Sequence, residues 1–160
     1  MSEEIEEHIN EMKMSFKRSE HSLYVSLKYT RTVDVIKNLI ERYVNTLIHG
    51  IDALVQKLFE ENKISEIPET PIEKINLIRA TYSDNEELIS FLDWLIFLRK
   101  LLRSKYGKCE EFRKNVTMCA IVDGEEHGIK IETLTDYLEK MKNYILLIGI
   151  LSGTEDENKF

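Results

Sequence analysis

The residues best suited to chemistry lie in one short run. Between Arg99 and Lys114 the chain carries Arg99, Lys100, Arg103, Lys105, Lys108, Arg113 and Lys114, opposed only by Glu110 and Glu111. That is a local charge of +5 on a 160-residue chain whose formal total is −7. A positive island on an acidic protein concentrates its field locally and suits phosphate or RNA. The acidic total excludes a uniformly basic nucleic-acid coat. A second use of the same residues is structural: lysines and arginines at a helix end favour the negative pole of the helix dipole. They could also pair with the acidic first turn of helix one in a second copy of the chain.

Helical phase separates the island's members. Glu86, Ser90, Asp93, Lys100 and Ser104 share a polar stripe, so Asp93 is expected to be solvated. Arg99 and Arg103 share the arc of Leu88, Leu92, Leu95 and Ile96. They are four residues apart, which makes two like charges neighbours on a helix and costs a few tenths of a kcal/mol. Burying an unpaired guanidinium costs far more. An acid, an anion, or a helix end that lets the heads snorkel into water must therefore accompany them.

Other chemistry is sparse. His8, His21 and His49 lie on helices away from any paired spacing, and none has the four-residue helical partner of a zinc site. His127 alone follows the island, and with Arg113 it forms the only acid–base pair to weigh. Cys109 and Cys119 are too few for a disulfide scaffold and have no zinc spacing, so two separate thiols in a reducing cell are expected. No glycine-rich phosphate loop, nucleophile elbow or calcium loop occurs. No metal or cofactor is expected.

These residues need elements to position them. Six glycines and two prolines among 160 residues argue for helices. Ser2 caps a first helix to about Tyr29, with Ile5, Ile9, Met12, Phe16, Leu23 and Leu27 on one face and Ser19 filling the gap. Thr30 to Thr32 form a joint, and Thr32 caps a second helix to about Asn62. Its apolar arc exceeds half the circumference, so it is central to a bundle or lies at a dimer contact. Thr70, Pro71 and Glu73 start a short third helix to about Tyr82. Ser83 and Glu86 repeat the capping spacing and start a fourth, about 84–106, with Gly107 as its stop.

The polar stretch 108–115 reads as one or two further helical turns. The period then changes: Val116–Val122 and Glu125–Ile131 flank Asp123-Gly124, a hairpin turn signature. Thr133 opens a last helix, about 134–151, which Gly153 ends. The expected fold is mainly α: an up-and-down bundle of five helices with a small β-hairpin between the last two. Residues 1–153 form one domain and 154–160 an acidic tail. The longest apolar runs are far below the ~20 residues that span a bilayer, and the acidic N-terminus is unlike a secretory leader. A cytoplasmic location is expected.

The layout resembles HEPN-like proteins, small helical bundles common in archaea and bacteria. The resemblance is carried by the two long opening helices with "YTRTVDVIKNLIERYVNTL", the basic exit "FLRKLLRSKYGKCEEFRKNV" and the closing helix "ETLTDYLEKMKNYILLI". It implies a homodimer, and a nucleotidyltransferase-type protein or RNA as partner. Catalytic members carry an arginine followed five or six residues later by a histidine. Arg99, Arg103 and Arg113 could each fill the first place, but His127 lies fourteen residues beyond Arg113. The resemblance therefore implies a non-catalytic binding module for RNA, nucleotide or an acidic protein. A metal-independent ribonuclease with a rearranged Arg113/His127 pair, and a purely structural or adaptor protein, are the alternatives.

Overall fold

The computed structural model describes residues 2–28, 32–110 and 116–153. Five helices and three strands follow one another: α1 (Glu3–Lys28), α2 (Val33–Glu60), α3 (Pro71–Thr81), α4 (Glu86–Arg103), β1 (Tyr106–Glu110), β2 (Thr117–Val122), β3 (Glu125–Lys130) and α5 (Ile131–Ser152). The mainly α bundle and the hairpin between its last two helices are as the sequence predicts. The expected joint lies partly, and the expected tail wholly, outside the described residues.

The helix starts show their local causes. The Thr32 hydroxyl accepts from the Val35 N–H at 3.2 Å, and the Thr70 hydroxyl from the Glu73 N–H at 3.3 Å. Each satisfies a backbone donor that the first helical turn cannot. Two starts differ from expectation. Asn85, not Ser83, caps α4, its side-chain oxygen accepting from the Leu88 N–H at 3.0 Å. Ser83 and Asp84 fall instead in the turn closed by Asn85 N–H to the Tyr82 carbonyl at 2.9 Å. Helix α5 begins at Ile131, and the Thr133 hydroxyl accepts from the Lys130 N–H at 3.2 Å. Thr133 thus stands at the third helical position and satisfies the backbone donor of the N-cap Lys130, rather than being the cap itself. At the far end Gly153 takes φ 82°, the left-handed stop that glycine adopts without a Cβ penalty.

Helix α2 is the axis of the bundle. Ile36, Ile40, Tyr43, Leu47, Ile51, Leu54 and Leu58 are all buried, and the helix meets α1, α3, α4, α5 and β2. Most of its wide apolar arc is covered by these contacts, in keeping with a place at the centre of the bundle, while Phe59 remains 39% exposed. Helix α1 lies antiparallel on α2. Ser2 bonds Glu60 at 2.7 Å near one end, and the Ser15 and Thr46 hydroxyls bond each other at 2.7 Å near the middle. Ser19, fully buried on α1, donates its hydroxyl to the Ser15 carbonyl at 2.9 Å. Gly50 lets α5 approach α2: a Cβ on it would stand 2.6 Å from the Tyr144 hydroxyl.

The sheet corrects the sequence reading of the stretch after α4. Residues 106–110 are a strand, not further helical turns, and Gly107 lies inside it rather than stopping α4. The strands run in the order β1-β2-β3, antiparallel throughout. Asp123 and Gly124 both have positive φ, 51° and 81°, as the two-residue turn requires. Met118, Ala120, Val122 and Ile129 are buried against the helices, while Ile121 on the opposite face is 61% exposed. The period-two alternation is that of a sheet covered on one side. At the register shift between Lys108 and Glu110, the structure joins Cys109 to Cys119 as a disulfide across β1 and β2, with a Cα–Cα separation of 5.8 Å. The expectation of two separate thiols fails because β1, unseen in the sequence pattern, brings them together.

Candidate functional site at the exit of helix four

The basic island begins on the last turn of α4 and continues into β1. Lys100 is spoken for: its Nζ meets Asp123 Oδ2 at 2.9 Å, linking α4 to the hairpin turn. Both partners are substantially exposed, so the pair contributes little to stability. Asp93 is solvated as expected, and it receives Arg79 of α3 at 2.6 Å.

Arg99 and Arg103 differ from these. Arg99 is half-buried and Arg103 exposed. Neither has a carboxylate partner among the described residues. Burial, and then the positive charge of Arg103, lower the pKa of Arg99. The guanidiniums are thus close enough to repel, one of them partly stripped of water, with no acid among the described residues to offset either cost. Lys105 is exposed beside them on the way into β1. Lys108 lies within β1, and Arg113 and Lys114 fall outside the described residues.

An aromatic residue within the island meets a cation from elsewhere in the sequence. Tyr106, half-buried at the start of β1, has Lys37 of α2 over its ring at 5.4 Å from the centroid. This distance is within range of a cation–π contact. It adds a cation and an aromatic face to the same end of the molecule. Lys37 is invisible to a reading of the island alone, since the approach of α2 to β1 is a tertiary event.

His127 sits on the half-buried inner side of β3, opposite Ala120. The Phe97 ring stands edge-on to it with centroids 4.8 Å apart. The imidazole therefore packs the sheet against α4. Whether Arg113 reaches it lies outside the described residues. Among those residues no group of three or more His, Cys, Asp or Glu is placed to hold a metal ion. No helix among them is long and apolar enough to cross a membrane.

A second polar feature lies behind α4. Trp94 is buried between Phe91 and Tyr137, with Lys140 Nζ 4.7 Å from its ring centroid. The Trp94 Nε1–H is buried without an aligned acceptor, although it lies near enough to Tyr137 to oppose the upward push of burial on that hydroxyl. Burial lowers the pKa of Lys140. The arrangement places Trp94 at the interface of α4 with α5.

No known protein family, curated protein or solved structure matches the chain.

Proposed function

We propose that the protein is a non-catalytic binding module, HEPN-like and homodimeric, that engages the phosphate backbone of RNA through the exit of α4. One observation carries this reading: Arg99 is partly desolvated against Arg103, with no carboxylate to meet either among the described residues. A guanidinium pair of this kind favours an oxyanion that it can grip bidentately. Lys37, held over the Tyr106 ring, supports the same ligand by adding a further cation to this end of the molecule. The packing of His127 against Phe97 gives that imidazole a structural task, which supports binding over cleavage.

The test is fluorescence anisotropy with labelled single-stranded RNA of mixed sequence. Wild type binds, and the affinity falls as salt rises. Arg99→Glu with Arg103→Glu abolishes binding and leaves the helical circular dichroism unchanged. Binding that survives this change, or that ignores salt, overturns the reading. Capture of an acidic protein in place of RNA would redirect it to the protein partner. Incubating RNA with wild type and His127→Ala checks the catalytic alternative: cleavage lost only in the variant would establish a ribonuclease. Sedimentation at several concentrations tests the homodimer.

A further inference from the structure

Strand β1 joins the exit of α4 to the sheet, and few non-covalent contacts hold it there. It is an edge strand in the order β1-β2-β3 and pairs with β2 alone. It is five residues long, contains a glycine, and breaks its ladder between Lys108 and Glu110. A glycine and a register shift both weaken a strand. Tyr106 packs partly buried against the core, whereas Gly107 and Cys109 are exposed.

The remaining attachment is covalent. Cys109 stands at the register shift, without a Cα partner on β2, and its sulfur is bonded to that of Cys119 on the central strand. The Cα–Cα separation of 5.8 Å is the usual one for a disulfide. Cys119 is half-buried and Cys109 exposed, so a reductant can reach the bond from solvent. Exposed disulfides are the labile and regulatory ones.

Strand β1 positions one side of the α4 exit. Ser104 ends α4, its hydroxyl donating to the Leu101 carbonyl at 2.7 Å. Only Ser104 and Lys105 separate Arg103 from Tyr106, and Tyr106 carries the Lys37 contact from α2. Fixing β1 on β2 therefore fixes where Lys105, Tyr106 and Lys37 stand relative to Arg99 and Arg103. An ordered site binds more tightly than one that must be ordered on binding.

We propose that Cys109 and Cys119 form a thiol–disulfide switch for the exit of α4: the disulfide fixes β1 and keeps the cationic surface assembled, and reduction releases β1 and weakens RNA binding. The proposal rests on the reading of that exit as a phosphate-binding surface. A dithiol supplies the electrons. One of its thiolates attacks the exposed Cys109 sulfur and expels the Cys119 thiolate, leaving a mixed disulfide. Its second thiolate then expels Cys109 and closes the reductant into a cyclic disulfide. The protein gains two electrons and, as its thiolates protonate, two protons.

The full chain, oxidised and then reduced with dithiothreitol, is compared by thiol alkylation, hydrogen exchange and anisotropy with labelled single-stranded RNA. Alkylation labels no thiol in the oxidised form and both in the reduced one. Reduction speeds exchange of the amides of residues 106–110 at least tenfold and leaves those of α2 and α5 as they were. It weakens RNA at least fivefold, and reoxidation restores the affinity. Cys109→Ser, a change at an exposed position, behaves as reduced protein under both conditions with helix content unchanged. Two free thiols after oxidation overturn the proposal, and so does equal exchange in the two forms. Equal, salt-dependent RNA affinity in the two forms overturns the switch and leaves the exit as an RNA site. RNA bound by neither form overturns that reading of the exit, and the switch with it.

Discussion

Tyr43 and Arg99 each set a polar head beside apolar neighbours, and the two regions resolve the problem differently. In the centre, the Tyr43 hydroxyl donates to the Leu134 carbonyl at 3.0 Å, and the Tyr144 hydroxyl donates to the Leu47 carbonyl at 2.5 Å. Both rings are fully buried, and burial raises both pKa values. Each bond crosses between α2 and α5, so the polar atoms specify how those helices sit. At the exit of α4, the half-buried Arg99 head is partly desolvated and repelled by Arg103, without an acceptor among the described residues. Buried polar groups are normally satisfied, and an unsatisfied one calls for an explanation. The centre is explained from within the chain. The exit has no such explanation among the described residues, and the proposed RNA phosphate would supply one.

The comparison predicts a graded series of effects. The largest belongs to the axis: Leu54→Ala removes a fully buried side chain facing several elements and costs about 2–5 kcal/mol in urea unfolding. Gly50→Ala comes next at about 1–3 kcal/mol, since its Cβ meets the immobile Tyr144 hydroxyl and ring edge at 2.6 and 2.9 Å. Tyr43→Phe loses about 1 kcal/mol, by deleting a donor to a buried carbonyl while keeping the ring. Lys100→Ala, at an exposed ion pair, changes stability by less than about 1 kcal/mol. A cost at Lys100 equal to that at Tyr43 would erase the contrast between the regions.

The contrast was unevenly legible in the sequence. Helices announce themselves by period, so the apolar stripes of α1, α2 and α5 and the Thr32, Thr70 and Gly153 boundaries could be placed directly. The Asp123-Gly124 turn was equally plain, because few residue pairs tolerate two successive positive φ values. Strand β1 was not, since "YGKCE" has no alternation of its own and becomes a strand only by pairing with β2. With β1 unseen, the Cys109–Cys119 link was unseen too. Ser83 and Glu86 have the same spacing as a true cap, but a tight turn after α3 moves the start to Asn85. The phase of Arg99 and Arg103 on α4 was readable, while the approach of Lys37 to Tyr106 depends on packing between distant segments.

The slope of RNA affinity against salt, compared between wild type and Arg99→Glu/Arg103→Glu, puts the most direct question to the α4 exit. A lost phosphate contact flattens a logarithmic salt plot by roughly one for each charge removed from the interface. Wild type is expected to bind with a steep slope, and the doubly reversed protein to retain its helix content with no measurable affinity. Identical slopes and affinities in the two proteins would show that these guanidiniums meet no phosphate.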